Sequence, residues 1–179
     1  MSKPRIGSLF SGVGGLDLAV EEVTGGETIW QVEFDKHASK VLAKRFGVPN
    51  YGDITKIDWT EVPPVDVLCG GFPCQDVSAA GRKAGIGQGT RSGLWAHFAE
   101  AIDVLRPQLV IIENVRGLLN AKATGPEGVS MRAMGRVLGD LADLGYDAKW
   151  KTLAAGAVGA PHKRERVFIV ARPADPAGA

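Results

Sequence analysis

The stretch Asp66-Val-Leu-Cys-Gly-Gly-Phe-Pro-Cys-Gln75 predicts a buried strand that runs into a sharply turned loop carrying a cysteine. The apolar run over residues 65–69 is short and ends in two glycines. This pattern is typical of a central strand whose following turn lets another molecule approach the backbone. Pro73 fixes its own φ and disfavours helix at the residue before it. We therefore expect Cys74 on a stiff turn beyond the end of a central strand.

The two cysteines of the chain receive different predictions. A free cysteine is most often a small buried hydrophobe, and this is the prediction for Cys69 inside the strand. Cys74 lies past the strand end, where the connections of open α/β sheets carry ligand sites, so its thiol is a candidate nucleophile. A disulfide between the two is not expected in so cysteine-poor a chain.

Composition bounds the size and the location of the protein. The 179 residues are 45% hydrophobic and 23% charged, which fits one soluble domain, and a second full domain would not fit comfortably. We predict a domain over residues 1–172 and a frayed tail over residues 173–179. The chain shows no charged-then-apolar leader and no apolar run of spanning length, which predicts a cytoplasmic protein that does not bind membranes. Because the net charge is only +1, a nucleic acid would have to be held by local charges.

A glycine-rich turn follows the first predicted strand. Residues 6–10 form a short, mostly apolar run, and a helical pattern starts at residues 18–22. The glycines between them allow a tight turn and let a ligand lie against bare backbone at a helix N-terminus, although a plain turn has the same signature. Residues 28–34 predict a second strand that ends near Glu33. An acidic residue about 20 positions beyond such glycines accepts a hydrogen bond from a ribose hydroxyl in nucleotide-binding units.

Asp53 and a long glycine-rich segment supply two further candidates. Asp53 follows a helical pattern at residues 37–46 and closes a short third strand and turn predicted at residues 51–53. It is either an adenine contact or a cap for the next turn. Residues 76–93 hold five glycines and three basic side chains without apolar periodicity. They form either a functional loop that covers a phosphate-bearing substrate or a solvated surface loop.

The second half of the chain completes the predicted sheet. A buried strand at residues 108–112 ends in Glu113-Asn-Val115, which would bring the Glu113 carboxylate to the same sheet edge as Cys74. The other predicted elements are helices at residues 94–105 and 129–144, a loop at residues 121–128, and late strands at residues 146–154 and 166–171. The predicted fold class is α/β, a doubly wound and mostly parallel sheet with an antiparallel pair near the C-terminus.

Several motifs, taken in order, resemble those of DNA (cytosine-5) methyltransferases that use S-adenosylmethionine. They are Phe10-Ser-Gly-Val-Gly-Gly15, Glu33, Gly52-Asp53, Gly71-Phe-Pro-Cys-Gln75, Arg91-Ser-Gly-Leu94, Glu113-Asn-Val115 and Lys163-Arg-Glu-Arg166. Glycine turns alone are common, whereas Pro-Cys-Gln, Glu-Asn-Val and Arg-Glu-Arg in this order are highly specific. The resemblance covers nearly the whole chain and implies the Rossmann-like fold of S-adenosylmethionine-dependent methyltransferases.

The resemblance implies covalent chemistry on cytosine, whose C5 is a poor nucleophile. A thiolate of Cys74 would add to C6 and create an enamine whose C5 can attack the methyl group. A free thiol is only a few per cent ionised at neutral pH, so the positive charges of Arg164 and Arg166 are expected to help. Glu113 would hold the base through N3 and its exocyclic amine. Burial in a closed site would raise the pKa of this carboxyl and let it supply a proton.

The same resemblance assigns ligand contacts. The substrate would be double-stranded DNA with the target cytosine flipped out of the helix, and the 76–93 loop would close over it. The residues implied for the substrate are Gln75, Ser78, Arg82 and Asn114. Those implied for S-adenosylmethionine are Phe10, Gly12, Gly14 and Gly15 at the methionine end, Glu33 at the ribose, Asp53 at the adenine amine, and Pro73 and Leu94 along the pocket. No metal site is predicted.

The chain also departs from the family. It lacks the target-recognition domain and the last conserved segment that follow the Arg-Glu-Arg strand in family members, and His162 stands where Gln is commoner. Three interpretations follow: a catalytic chain that works with a separate recognition subunit, a cofactor-binding domain with little turnover, or an inactive remnant. We favour the first because every catalytic position is filled. An RNA-directed relative of the same family remains an alternative.

Overall fold

The computed structural model describes residues 2–73, 93–124 and 130–175. Its strands are β1 Arg5–Leu9, β2 Glu27–Val32, β3 Val67–Gly70, β4 Leu109–Val115, β5 Lys122–Thr124, β6 Ser130–Arg132, β7 Tyr146–Ala154 and β8 Glu165–Pro173. Its helices are α1 Gly15–Thr24, α2 Lys36–Arg45, α3 Gly93–Leu105 and α4 Ala133–Asp143. Six strands form one sheet in the order β2-β1-β3-β4-β8-β7, and β5 pairs with β6 in a separate two-stranded sheet.

The order of the strands determines where the loops meet. Strands β2, β1, β3 and β4 are parallel, and β1 lies between β2 and β3. After β1 the chain forms β2 on one side of β1, and it later forms β3 on the other side. The turns that follow β1 and β3 are therefore neighbours at the carboxyl edge of the sheet. Strand β8 runs antiparallel to both β4 and β7. The predicted doubly wound, mostly parallel sheet with an antiparallel C-terminal pair is confirmed.

Helices cover both faces of the parallel strands. Trp95, Phe98 and Ile102 of α3 belong to the main hydrophobic cluster together with Leu68 of β3, and all four side chains are almost fully buried. On the other face, Val20 of α1 packs in a smaller cluster with Ile6, Val67 and Cys69. None of the described helices has both the length and the apolar character needed to cross a bilayer.

Local signals determine the ends of the helices. Asp35 caps α2 by accepting from the amides of His37 and Ala38, which have no partner within the helix. Helix α1 ends at Gly25, whose φ of 68° lies in the left-handed region that glycine adopts without a steric penalty. These two ends place the connections that lead from α1 into β2 and from β2 into α2.

The predicted third strand at residues 51–53 is wrong. The backbone of residues 49–51 instead makes two hydrogen bonds with Gln31 at the outer edge of β2, from Gln31 N to Pro49 O and from Tyr51 N to Gln31 O. Gly52 then takes a φ of 73° and ends the extended conformation. A single turn of 3₁₀ helix follows at Ile54–Lys56.

Two other boundaries differ from the sequence prediction. Part of the predicted loop at residues 121–128 forms β5, which pairs with β6, and α4 starts only at Ala133. Strands of three residues are too short to show an alternating pattern. Strand β8 also continues through Pro173, and the amide of Ala174 donates to Gly145 O, so the ordered chain passes residue 172. Residues 176–179 of the predicted tail lie outside the described residues.

Candidate active site

A cavity of about 400 Å³ opens at the carboxyl edge of the sheet, beside the turns that follow β1, β2 and β3. It brings together side chains that are far apart in the sequence, most of them apolar. Phe10, Glu33, Asp53, Pro73 and Leu94, which were predicted as cofactor contacts, all line this cavity. Sequence reasoning missed the other lining residues, which are Val32, Phe34, Gly52, Ile54 and Thr55.

Three residues of the turn after β1 have a positive φ, a backbone conformation that glycine takes freely and that other residues rarely adopt. Gly12 and Gly14 have φ values of 55° and 82°, and a Cβ on Gly14 would overlap the ring of Phe46. Phe10 also has a positive φ, of 53°, although it carries a side chain. A non-glycine residue in this region costs on the order of 1 to 3 kcal/mol, and such strain concentrates at ligand sites. Gly15 begins α1 with open space around its Cα.

Glu33 links the glycine turn to the start of α2. Its Oε2 accepts from Gly12 N at 2.8 Å, and its Oε1 accepts from Asp35 N at 2.7 Å. Both oxygens are therefore oriented by backbone amides. Each ionised carboxylate oxygen has a second lone-pair site, so Glu33 keeps the capacity to accept from a ligand hydroxyl in the cavity.

Asp53 lies at the rim of the cavity and caps the 3₁₀ turn as well. Its Oδ1 accepts from Thr55 Oγ1 at 2.8 Å and from Thr55 N at 3.1 Å, and Lys56 Nζ is 3.7 Å from Oδ2. The hydrogen bonds from Thr55, helped by the charge of Lys56, hold the pKa of Asp53 below its ordinary value. The capping interpretation is confirmed, and it leaves an anionic group facing the cavity.

Glu113 lies on the other side of the turn that leaves β3. Its Oε1 is 2.6 Å from Arg166 Nε, and the two side chains remain 31% and 22% exposed. A Cβ on Gly71 would lie 2.9 Å from Glu113 Oε2, so the glycine backbone passes directly against the carboxylate. Gly71 was not predicted as a site residue, although the double glycine after the strand was the available signal.

Asn114 anchors the turn at residues 71–73 through its side-chain amide. It is buried, its Nδ2 donates to Phe72 O at 2.8 Å, and its Oδ1 accepts from Val115 N at 2.8 Å. Both ends of the amide are thus engaged with backbone, which gives Asn114 a positioning role that sequence reasoning missed. Its contact with substrate stays a prediction.

Phe72 and Pro73 carry the chain out of β3 toward Cys74. Phe72 is buried, and its ring centroid lies 4.9 Å from that of Trp95 and 6.3 Å from that of Phe98. The backbone is therefore anchored immediately before Cys74. The remaining predicted residues of this region, Cys74, Gln75, Ser78 and Arg82, lie outside the described residues.

The chain matches a known protein family over almost its whole length. A family model described as C-5 cytosine-specific DNA methylase matches residues 5–176. The chain belongs to this family. Among curated relatives, it is 38% identical over 162 residues to the type II methyltransferase M.DsaV of Dactylococcopsis salina, a match that covers 90% of this chain and 44% of that protein. It is 34% identical over 166 residues to the type II methyltransferase M.HhaI of Haemophilus parahaemolyticus, covering 93% of this chain and 48% of that protein.

Solved structures agree on the fold of this C-5 cytosine methylase chain. A Spodoptera frugiperda DNMT2 mutant superposes with a TM-score of 0.75 at 20% identity, covering 97% of this chain and 51% of that one. The Dnmt2 methyltransferase of S. pombe gives a TM-score of 0.71 at 17% identity, covering 96% and 49%. The chain thus spans about half the length of the relatives it matches.

The structure also describes Cys69 and Arg164, for which the sequence predicted a core position and a role beside the thiol of Cys74. Cys69 is fully buried and its thiol pKa is raised mainly by burial, which confirms it as a core residue. Arg164 is exposed, with a φ of 21°, just before β8. Within the described part of the chain its guanidinium does not join the Glu113–Arg166 ion pair. Arg166 alone reaches Glu113, and the help of either arginine to the Cys74 thiol stays a prediction.

Proposed function

We propose that this methylase domain transfers a methyl group from S-adenosylmethionine to C5 of cytosine in DNA, through a covalent adduct of Cys74 at C6. The observation that carries the proposal is the position of the turn at residues 71–73. Its first residue, Gly71, lies against the Glu113 carboxylate, and its last, Pro73, lines the cavity. A methyl donor in the cavity and a base held by Glu113 would therefore adjoin the same turn, which continues into Cys74.

The residues of the cavity fit S-adenosylmethionine. A volume of about 400 Å³ suits a ligand of this size, and the wall is mainly apolar with two carboxylates at defined places. Glu33 would accept from the ribose hydroxyls, and Asp53 from the adenine amine. The glycine turn leads into the N-terminus of α1, whose free amides favour the carboxylate of the methionine end. When bound, the cofactor supplies an electrophilic methyl group.

The chain's own groups would handle the base. Arg166 holds Glu113 Oε1, which leaves Oε2, beside Gly71, to face N3 of the cytosine. A hydrogen bond or proton at N3 withdraws electrons from the ring and makes C6 open to attack by a thiolate. In this structure the Glu113 side chain is 31% exposed, and a flipped base held against it would cover the carboxylate.

We further propose that a separate recognition subunit reads the DNA sequence. The net charge of only +1 means that the sequence carries no large excess of positive charge with which to hold a polyanion. The chain also spans only 44% and 48% of two type II methyltransferase relatives. Such a subunit would supply most of the phosphate contacts and bring the flipped cytosine to Glu113.

Transfer of label from tritiated S-adenosylmethionine tests the proposal. The chain is incubated with mixed-sequence duplex DNA or RNA, alone and with the isolated recognition half of a related methyltransferase. We expect label at C5 of cytosine in DNA with the wild type and with Cys69→Ser, and none with Cys74→Ser. Label that survives Cys74→Ser contradicts the covalent step. Label in RNA alone favours an RNA-directed enzyme, and cofactor binding without any transfer favours a catalytically inactive domain.

A further inference from the structure

A buried pair of polar side chains lies beneath the glycine turn. Asp17 is in the first turn of α1 and Gln31 is in β2, and both side chains are fully buried. Gln31 Nε2 donates to Asp17 Oδ1 at 2.6 Å. A carboxyl group with no exposed surface and an amide as its partner is a rare arrangement, because burial disfavours a charge that no cation neutralises.

The remaining oxygens of this pair have no partner in the described part of the chain. Asp17 Oδ2 and Gln31 Oε1 are both buried and make no hydrogen bond. If Asp17 were ionised, both atoms would be acceptors only, so neither could satisfy the other. A protonated carboxyl carries one O–H donor, so a single proton on Oδ2 can satisfy both atoms at once by donating to Gln31 Oε1.

We propose that Asp17 is a neutral carboxylic acid that forms a ring of two hydrogen bonds with the amide of Gln31 and so positions the walls of the cofactor cavity. In one bond Gln31 Nε2 donates to Asp17 Oδ1, and in the other Asp17 Oδ2 donates to Gln31 Oε1. The role toward the cofactor rests on the function proposed above. The ring itself does not depend on it.

The surroundings of Asp17 favour the neutral form. Burial raises the pKa of Asp17, and hydrogen bonds from Gln31 and Ser8 only partly oppose the rise. The other titratable groups that face it are Glu21, one turn along α1, and the thiol of Cys69 on β3, and neither is a cation. The N-terminal end of α1 favours a negative charge. That effect is small beside the cost of removing a carboxylate from water.

The pair connects to both sides of the cavity. The backbone of Gln31 holds residues 49–51 by two hydrogen bonds, and this segment leads to Gly52 and Asp53 on the cavity rim. On the other side, Ser8 adjoins Asp17 and accepts from Ser11 Oγ at 2.9 Å, inside the glycine turn. Loss of the ring should therefore loosen the cavity without removing any group that touches the cofactor.

The Asp17→Asn variant is the matched test, because its amide nitrogen can donate to Gln31 Oε1 and its oxygen can still accept from Gln31 Nε2. Asp17→Leu removes both bonds and replaces the carboxyl group with a larger, apolar side chain. Infrared difference spectra between wild type and Asp17→Asn, recorded near neutral pH, should contain the C=O stretch of a protonated carboxylic acid. A pair of carboxylate bands in its place would overturn the proposal.

The pH dependence of unfolding gives a second measurement. The folded pKa of Asp17 lies above its ordinary value of 3.8, so the stabilisation is fully present below that value and is lost as pH rises through the folded pKa. Asp17→Asn cannot ionise and should become the more stable protein as pH rises. A variant that is less stable than wild type at neutral pH, with a gap that closes on acidification, would show an ionised Asp17 and contradict the ring.

Titration calorimetry with S-adenosylmethionine tests the positioning role. We expect Asp17→Asn to bind within about twofold of wild type and Asp17→Leu to bind at least about tenfold more weakly, the loss that corresponds to one hydrogen bond. Equal affinity for all three would overturn the positioning role. If the wild type binds no cofactor, the proposed function fails, whereas the infrared and unfolding results still decide on the ring.

Discussion

Arg166 Nε lies 2.6 Å from Glu113 Oε1 and joins the antiparallel strands β8 and β4 at the edge where the parallel strands end. Glu113 is directly opposite Phe168, so Arg166 is its diagonal neighbour, two residues along β8 on the same face. An arginine in this position can orient a carboxylate through a charged hydrogen bond while it leaves the second oxygen available. The geometry of the proposed base-binding group thus depends on strand register.

Removal of Arg166 should impair catalysis more than cofactor binding. Without the guanidinium, Glu113 is free to rotate away from the base, and loss of an oriented acid–base group typically costs about 10² to 10⁴-fold in rate. We expect Arg166→Ala to lower kcat by at least about 10²-fold, with the cofactor Kd unchanged. Arg116→Ala is the control, because it removes another ion pair, with Glu165 at 2.6 Å, away from the carboxylate. Equal losses in both variants would contradict the orienting role.

Gly71→Ala should displace the Glu113 carboxylate through its second oxygen, Oε2. A Cβ at this position would lie 2.9 Å from Glu113 Oε2, so the side chain or the turn must shift. We expect methyl transfer to fall by about tenfold or more, because misplacement of a catalytic group by a fraction of an ångström is costly. At Gly117 the nearest atom to a new Cβ is Val115 Cγ2 at 3.6 Å, so Gly117→Ala provides the matched control. Full activity in Gly71→Ala would show that Glu113 is not confined by this glycine.

The sequence predicted the elements that local patterns encode. Strand β7 spans the residues predicted for it, and α3 begins one residue before its predicted start, because apolar alternation and helical spacing are local properties. Phe10, Glu33 and Asp53 were predicted as cofactor contacts from the order of the motifs, and all three line the cavity. Their convergence on one cavity follows from the parallel strand order, which the glycine turns and the βαβ pattern already indicate.

The contacts that the sequence could not predict join residues far apart in the chain. Asn114 bonds to Phe72 O across 42 positions, and Gln31 bonds to Asp17 across 14. Nothing in either residue's neighbours distinguishes a buried positioning amide from a substrate contact or a surface residue. The strand predicted at residues 51–53 corresponds to an extended segment at residues 49–51, whose backbone hydrogen bonds to the sheet run to Gln31.

Acid should destabilise the fold through its capping carboxylates. Hydrogen bonds from the amides of Ala38 and His37 hold the pKa of Asp35 below its ordinary value of 3.8. The stabilisation is therefore present above that value and is lost as pH falls through the lowered folded pKa, the opposite direction to Asp17. We expect Asp35→Ala to be less stable than wild type in urea at neutral pH and to lose less on acidification below about pH 4. Asp143→Ala, at the exposed end of α4, is the control, and equal acid sensitivity of Asp35→Ala and wild type would exclude the capping effect.

Glu33→Gln should weaken cofactor binding through the loop that it orients. The carboxylate accepts from Gly12 N and Asp35 N with different oxygens, and a glutamine offers only one oxygen for these two donors. One amide then faces an N–H group, so either the glycine turn or the start of α2 must shift. We expect the Kd for S-adenosylmethionine to rise by about tenfold or more, since one lost charge-assisted hydrogen bond is worth at least that factor. Glu22→Gln, on the exposed face of α1, removes the same charge without touching the turn and should bind normally. An unchanged Kd for Glu33→Gln would mean that neither the turn nor the ribose depends on this carboxylate.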